Sequence, residues 1–203
     1  ASRQAIVVGS EALRESVARV ASVSDHFLTD ARLPAFFRAL RPHQWVKNLL
    51  LFLPLFAAHA INDPERVLQA FLSFVVFSLT ASSVYLLNDL LDLPADRQHL
   101  RKKERPLASG ALPIASAAAA IPVLLLGAAL VSVLFLPSPF LWVLGLYYLL
   151  TNAYSIGLKQ KPVVDVLVLA GLYTIRVMAG AAAIAVPLSF WLLAFSLFIF
   201  LSL

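Results

Sequence analysis

Six long apolar stretches restrict what this chain can fold into more than any other feature. They occupy residues 46–61, 67–91, 113–136, 140–158, 163–186 and 188–203, and the first and last are short. A helix of about 20 mostly apolar residues crosses the hydrocarbon core of a bilayer and satisfies its own backbone hydrogen bonds there. The pattern predicts an all-α, polytopic membrane bundle with about six transmembrane helices.

Composition excludes the water-soluble classes. Only 13% of the 203 residues are charged and 61% are apolar, which leaves too little polar surface for a soluble domain. The sequence has no cysteine, so a disulfide framework, a thiolate nucleophile and a cysteine-ligated metal are all excluded. Any bound metal must use oxygen or histidine ligands.

The basic residues behind the net charge of +5 lie mainly on one side of the predicted membrane bundle. Basic residues precede the first apolar stretch and follow the second and fourth, whereas proline-containing turns separate the other stretches. Cytoplasmic loops of membrane proteins carry the excess of lysine and arginine, so the N-terminus and both basic loops are predicted to be cytoplasmic. The charge is thereby attributed to membrane orientation, and no nucleic-acid partner is expected.

The chain divides into a soluble N-terminal segment, residues 1–37, and a membrane domain, residues 38–203. Within the first segment, Ala5 to Val8 is strand-like, and Ser10 is the N-cap of a predicted amphipathic helix. This is too little to form a domain alone, so we expect a remnant of an upstream domain. The last apolar stretch has no flanking charge, which suggests a chain truncated at its C-terminus.

One polar segment, NDLLDLPADR at residues 88–97, directly follows the second apolar stretch. Asp89, Asp92 and Asp96 are spaced i, i+3, i+7, which would place them on one side of a helix, although Pro94 predicts a kink or an end. Converging carboxylates repel each other unless a cation lies among them. Mg²⁺ prefers oxygen ligands and shares them with phosphates, so the segment predicts a magnesium site.

A basic loop follows the acidic segment and includes Arg97, Lys103 and Arg105. Arginine and lysine suit phosphate oxygens, and the combination predicts binding of a diphosphate. The simpler interpretation is that the aspartates end a helix and the basic run anchors it. Carboxylates at a membrane face are costly and are not required by topology, which favours the functional interpretation.

The segment RPHQWVKN at residues 41–48 precedes the first apolar stretch on the same predicted side. Trp45 suits the membrane interface, and Arg41 could extend to lipid headgroups. Lys47 and Asn48 could instead reach a polar cavity at the helix ends.

Four polar residues occur in the fourth and fifth stretches. Tyr154 and Lys159 lie at the predicted cytoplasmic end of the fourth stretch, and Asp165 begins the fifth. Arg176 lies halfway along the fifth. An arginine within the membrane indicates either a functional site or a structural pair, here with Asp165 or a backbone carbonyl.

These motifs resemble the UbiA-type prenyltransferase superfamily. NDLLDLPADR at 88–97, with RPLASG at 105–110, is similar to its first aspartate-rich motif, and RPHQWVKN at 41–48 with His99 narrows the resemblance to the decaprenyl-phosphate phosphoribosyltransferase-like branch. The resemblance covers about residues 40–203. Leu100 departs from that branch, which usually has proline there. The superfamily also has about nine helices and a second polar motif that this chain does not reach.

The resemblance implies a magnesium-dependent transferase of the bacterial plasma membrane. Its substrates would be phosphoribosyl diphosphate and a polyprenyl phosphate, its product pyrophosphate, and its pathway cell-wall synthesis. By motif, Asp89 and Asp92 with Lys47 would be catalytic and Asp96 would join the aspartates on the metal. The implied substrate-binding residues are Asn88, Arg97, Lys103, Arg105, Tyr154 and Lys159. Residues 1–30 faintly resemble the end of a haloacid-dehalogenase-type phosphatase domain, which implies a fusion.

Two other functions remain open. The same site could act on a polyprenyl diphosphate with an aromatic acceptor, which the segment at 41–48 disfavours. A cation transporter or membrane scaffold is the non-enzymatic alternative. Transporters of that kind usually have paired broken helices within the membrane, whereas these acids lie at a helix end beside a basic loop.

Overall fold

The computed structural model describes residues 4–9, 15, 17–19, 22–28, 32–156 and 162–201. Near the N-terminus, strands β1 (Gln4–Gly9) and β2 (Ser22–Leu28) form a parallel pair. The strand expected at Ala5 to Val8 is therefore present, and β2 was not predicted. Parallel strands need a long crossover, and Glu15, Val17 and Ala18 between them are helical. Ser10, the predicted N-cap, lies outside the described residues.

The remainder of the described chain is helical, which confirms the predicted membrane-protein fold. The elements are α1 (Arg32–Leu40), a long 3-10 helix (Pro42–Phe52), α2 (Leu53–Ala57), α3 (Pro64–Leu91), α4 (Leu93–Gln98), α5 (Ile114–Phe135), α6 (Ser138–Ile156), α7 (Pro162–Ala183) and α8 (Phe190–Leu201). Within the described ranges, three helices are long and apolar enough to cross a membrane: Pro64–Leu91, Ile114–Phe135 and Val164–Ala183. The apolar α8 is shorter.

Helix boundaries follow the predicted turns. The Asp63 side chain accepts hydrogen bonds from the backbone N–H groups of Glu65 and Arg66, so it caps α3, and Pro64 occupies the first turn. At the far end of α5, Leu136 is extended before Pro137, and α6 starts at the next residue. Proline suits these positions because the first turn of a helix lacks intrahelical donors anyway.

The first apolar stretch differs from the single helix expected at 46–61. It forms the long 3-10 helix, which changes to α2 at Leu53 and ends near His59, where φ is 52°. Pro54 has no N–H to donate to the carbonyl of Leu50, which weakens a continuous α-helix at this point. On the other side, Arg41 has φ 55° and turns the chain sharply after α1.

Packing explains why the 3-10 geometry persists for eleven residues. Its side chains repeat every three residues, so Trp45 and Asn48 lie on one face. The Trp45 indole N–H donates to Ser82 Oγ (3.1 Å), and the Asn48 amide donates to Ser78 Oγ (3.0 Å). Three residues of a 3-10 helix and four of an α-helix both advance about 6 Å. One turn of the 3-10 helix therefore matches one turn of α3.

The main core lies where α3, α6 and α7 meet the 3-10 helix. Phe77 of α3 packs against Phe140 and Tyr147 of α6, with ring centroids 6.0 Å and 4.7 Å away. Ile175 of α7 and Leu51 of the 3-10 helix join the same cluster of buried residues. By contrast, only 17% of an 18-residue apolar stretch of α5 is buried within the protein. A largely apolar outer surface suits contact with lipid.

Helix α7 lies in tight backbone contact with the 3-10 helix at Gly180. A Cβ atom placed there would lie 2.1 Å from the carbonyl oxygen of Leu51, a backbone atom that cannot move aside without shifting the helix. Gly180 is thus required by the contact rather than by its own backbone conformation. At Gly171, nine residues earlier in α7, an added Cβ would meet nothing within 4 Å.

We expect Gly180→Ala to destabilise the protein and Gly171→Ala to leave it nearly unchanged. Forcing extra volume into a packed contact typically costs about 1–3 kcal/mol. The measurement is thermal unfolding of both purified variants in one detergent, monitored by loss of the monodisperse peak. Equal unfolding temperatures for the two variants would contradict the close contact.

Candidate functional site

The acidic segment spans a junction between two helices. Helix α3 ends at Leu91, Asp92 lies between the helices, and α4 resumes with Pro94 in its first turn, where proline is tolerated. The kink predicted at Pro94 is therefore present. Asp89 and Asp96 are each only 2% exposed, whereas Asp92 is exposed. Asp92 therefore does not share the buried environment of the other two carboxylates.

Arginine side chains join the two buried carboxylates. Arg105 Nη1 donates to Asp96 Oδ2 (2.6 Å) and to Asp89 Oδ1 (3.1 Å), and Arg41 Nη2 donates to the same Asp89 oxygen (2.5 Å). Lys102 Nζ lies 4.0 Å from Asp96 Oδ1. Buried charges are stable only when they are paired and hydrogen-bonded. This carboxylate network, Arg41, Asp89, Asp96, Lys102 and Arg105, meets that condition.

One atom of the carboxylate network is left without a partner. Asp89 Oδ2 is buried and accepts no hydrogen bond from the part of the chain that the structure describes. An unsatisfied buried acceptor costs about 1–3 kcal/mol. A cation or a hydrogen-bond donor from a ligand would relieve that cost, and a carboxylate oxygen is a ligand that Mg²⁺ prefers.

The described residues contain no cluster of three or more histidine or acidic side chains that could hold a metal by themselves. The predicted convergence of Asp89, Asp92 and Asp96 is thus not present. The donor atoms of Asp89 and Asp96 fit a hard cation that takes its other ligands from phosphate and water. A metal-binding role for these aspartates stays a prediction.

Beside the network lies a cavity of about 280 Å³, named here the polar cavity. Four residues singled out from the sequence line it: Lys47, Asn88, Tyr154 and Arg176. The complete lining is Lys47, Ala81, Val84, Tyr85, Asn88, Tyr147, Thr151, Tyr154, Ser155, Leu169, Leu172, Tyr173 and Arg176. Asn88 directly precedes Asp89, so the polar cavity adjoins the carboxylate network.

Hydrogen bonds connect the helix ends around the polar cavity. The Asn88 amide donates to Ser155 Oγ (2.9 Å), which joins the end of α3 to the end of α6. The Tyr154 hydroxyl donates to Asp165 Oδ1 (2.7 Å), which joins α6 to α7. Both contacts hold side chains that line the cavity in fixed positions.

Arg176 is 6% exposed and lies on the cavity wall. Its Nε donates to Asn48 Oδ1 (3.0 Å), Nη1 to the carbonyl of Leu172 (2.6 Å) and Nη2 to the Tyr147 hydroxyl (3.2 Å). Of the two structural partners proposed from the sequence, the backbone carbonyl is therefore correct. Asp165 bonds to Tyr154 instead.

The remaining predicted residues are not brought into these contacts. Arg97 and Lys103 have exposed side chains, and neither has a hydrogen bond or ion pair to the two buried aspartates. Lys159 lies outside the described residues.

Two members of the carboxylate network were missed at the sequence level. Lys102 was not selected, and Arg41 was assigned to lipid headgroups, whereas its guanidinium contacts Asp89. The two residues of that pair are 48 positions apart, so no local spacing could reveal it. The usable signal was the position of Arg41 on the same predicted membrane side as the acidic segment.

Comparison with known proteins matches residues 49–203 to the UbiA prenyltransferase family. A decaprenyl-phosphate phosphoribosyltransferase from Corynebacterium glutamicum is 39% identical over 159 residues, which are 77% of this chain and 48% of that protein. The uncharacterized protein y4nM of Sinorhizobium fredii is 36% identical over 202 residues, 98% of this chain and 39% of the relative. The chain thus spans about half the length, or less, of these relatives.

Two solved structures share the fold. One, described as a UbiA homolog from Archaeoglobus fulgidus bound to DMAPP and Mg2+, has a TM-score of 0.67 at 20% identity, covering 82% of this chain and 60% of that one. The other, from work on digeranylgeranylglyceryl phosphate synthase, has a TM-score of 0.67 at 19% identity, covering 84% of this chain and 58% of that one. Both support the helical membrane architecture.

We expect Arg41 and Asp89 to be coupled in stability. Removing one member of a buried ion pair leaves the other charge uncompensated, so Arg41→Gln should cost more free energy of unfolding in the native background than beside Asp89→Asn. The expected coupling is about 1–3 kcal/mol. A double-mutant cycle of unfolding in mixed detergent measures it.

Arg38→Gln is the matched control for this cycle, because Arg38 is an exposed arginine in the last turn of α1. Its effect should be the same in both backgrounds. Additive effects of Arg41→Gln and Asp89→Asn would contradict the pairing.

Proposed function

The chain belongs to the UbiA prenyltransferase family, and on that premise we propose that it forms part of a transferase that moves a phosphoribosyl group from phosphoribosyl diphosphate to a polyprenyl phosphate. Pyrophosphate is the second product. Relatives that carry the name decaprenyl-phosphate phosphoribosyltransferase at 39% identity support this reaction. The observation that carries the proposal is the buried, arginine-bridged pair of aspartates beside a cavity lined by Lys47 and Arg176.

The carboxylate network suits a diphosphate because its cations already lie together. Arg41 and Arg105 point their guanidinium groups at one buried oxygen, and Lys102 lies near Asp96. Guanidinium groups bind phosphate and carboxylate oxygens with similar geometry. An arriving diphosphate would therefore find donors in position and would share them with the aspartates. Fixed donors stabilise charge that develops on the leaving group.

Asp89 and Asp96, the two buried aspartates, are the residues that would hold magnesium. The free Oδ2 of Asp89 is the observation that fits such an ion. Bound magnesium would neutralise charge on the departing pyrophosphate. The UbiA homolog whose structure is described with DMAPP and Mg2+ supports a divalent metal in a protein of this fold.

In the proposed reaction, an oxygen of the lipid phosphate forms a bond to the anomeric carbon of the ribose. The bond from that carbon to the diphosphate oxygen breaks, and its electron pair leaves with pyrophosphate. The residues described here supply position and charge rather than a covalent intermediate. Asn88 and Tyr154, each held by a hydrogen bond, fix the wall against which the donor would lie.

The proposed function also implies a membrane orientation and a division of the chain into two parts. We place the N-terminus and the site on the cytoplasmic side of a bacterial plasma membrane, because the basic residues of the network come from the two lysine- and arginine-rich segments. Residues 1–37 would be a soluble segment joined to the membrane domain, residues 38–203. The match to y4nM across 98% of this chain supports their occurrence in one longer protein.

We expect Asp89→Asn to abolish transfer of label from phosphoribosyl diphosphate to polyprenyl phosphate. The loss should be at least about a hundredfold, the order seen when one positioned charge-stabilising group is removed. The assay uses membranes containing the full-length protein with magnesium and scores label in the lipid phase. Glu65→Gln is the control, because Glu65 is an exposed acid at the opposite end of the same helix.

The proposed reaction is contradicted if membranes with the unaltered protein transfer no label to the lipid phase while a known phosphoribosyltransferase, assayed alongside, does. A polyprenyl diphosphate supplied with aromatic acceptors would then be the next donor to test. Substantial activity of Asp89→Asn would instead reject the assigned site.

Metal removal gives an independent prediction. Binding of inorganic pyrophosphate to the detergent-solubilised protein should require magnesium, because the arginines of the network are already engaged by Asp89 and Asp96 and an added cation would supply the missing positive charge. Calorimetry with magnesium and then with excess chelator measures the difference. Pyrophosphate affinity that is the same in both conditions would show that the aspartates do not act through a metal.

A further inference from the structure

Arg176 is a buried charge to which the proposed reaction has assigned no substrate group. It lies within Val164–Ala183, a segment long and apolar enough to span the membrane, and it is 6% exposed. A charged side chain at such a position is costly to bury, so it is retained either for a partner or for a ligand.

The partners of Arg176 leave its charge uncompensated. Asn48, Tyr147 and the carbonyl of Leu172 are neutral acceptors, and within the described part of the chain no carboxylate forms an ion pair with Arg176. The guanidinium carbon also lies 5.1 Å and 5.5 Å from the ring centres of Tyr147 and Tyr173, contacts that favour a cation but carry no negative charge. A guanidinium has five N–H donors, of which these contacts use three. Two donors and a full positive charge therefore remain available on the wall of the polar cavity.

The polar cavity is positive as a whole. Lys47 and Arg176 are the charged residues in its described lining, and no acidic side chain lines it. A cleft lined by charge of one sign and walled by apolar residues attracts ions of the opposite sign. Tyrosine hydroxyls in the same lining add neutral donors. The volume of about 280 Å³ is near the small end of ligand pockets.

The polar cavity adjoins the carboxylate network without including its aspartates. Tyr85 lines the cavity, and the Arg41 guanidinium lies 5.1 Å from the centre of its ring. Asn88 lines it as well, next to Asp89 in the chain. Acidic groups suited to a metal-bound diphosphate are thus beside, and distinct from, a cationic wall suited to a bare anion.

We propose that the polar cavity binds a phosphate monoester, held by Arg176 and Lys47, as a second anion site beside the diphosphate site. The proposal rests on the proposed function, in which each substrate carries one such group: the 5-phosphate of the donor and the phosphate of the lipid acceptor. Their chemistry at the cavity is the same, so the experiment must separate them.

Calorimetry of the full-length protein in detergent tests the proposal with two probes, ribose 5-phosphate and farnesyl phosphate. Arg176→Gln and Lys47→Gln should each raise the Kd of at least one probe tenfold or more. The Kd of pyrophosphate with magnesium should change less than threefold. Arg66→Gln is the control, because Arg66 pairs with Asp63 at the opposite end of α3 and should change neither probe twofold.

Loss of ribose 5-phosphate binding alone assigns the cavity to the donor, and loss of farnesyl phosphate binding alone assigns it to the acceptor. The proposal is overturned if the unaltered protein binds neither probe, or if both variants bind both probes normally. If Arg176→Gln does not fold, Lys47→Gln decides, because the Lys47 side chain is exposed. Binding requires no turnover, so intact binding without phosphoribosyl transfer would reject the reaction and keep the site.

Discussion

The packing of the 3-10 helix against α3 and α7 depends on a match between two repeats. Every third residue of the 3-10 helix meets every fourth residue of its α-helical neighbours. Along the 3-10 helix, Trp45 and Asn48 meet Ser82 and Ser78 on α3, four residues apart in the reverse direction. On α7 the same relation recurs, because Asn48 accepts from Arg176 and Leu51 lies against Gly180, four residues further on. Equal axial rise of about 6 Å per step keeps three helices in register. Lys47 and Arg176 reach one cavity because this register holds.

The carboxylate network and the polar cavity place opposite electrostatic environments side by side. In the network, the two buried aspartates share Arg105, Arg41 pairs with Asp89 alone, and one oxygen of Asp89 has no hydrogen-bond partner among the described residues. In the cavity, the cationic side chains of Lys47 and Arg176 are surrounded by neutral groups, among them tyrosine hydroxyls. Burying unlike charges near each other in a membrane protein is costly unless each is paired or will be paired by a ligand. Packing alone therefore leaves two features unexplained: the free oxygen of Asp89 and the charge of Arg176, which has no carboxylate partner among the described residues.

Sequence reasoning predicted the features that depend on local pattern. The apolar stretch at 67–91 became Pro64–Leu91 and that at 113–136 became Ile114–Phe135, because hydropathy and proline mark such helices directly. Asp89 was found for the same reason. The 3-10 helix and the Arg41–Asp89 pair were not predicted, because both depend on contacts with distant helices. Asp92 was expected beside Asp89, but the junction at residue 92 turns it outward, an effect that spacing on one ideal helix omits.

At Arg41, a strained backbone conformation occurs together with an ion pair to a buried carboxylate. Its φ of 55° lies in the left-handed region that a side chain other than glycine enters at a cost of about 1–2 kcal/mol. Glycine would remove that strain and would also remove the guanidinium that contacts Asp89. The relief of backbone strain would therefore be offset by the loss of a cationic partner of a buried carboxylate. The strained backbone at residue 41 and the ion pair to Asp89 are thus two sides of one residue choice: a residue that could relax the backbone would lose the contact.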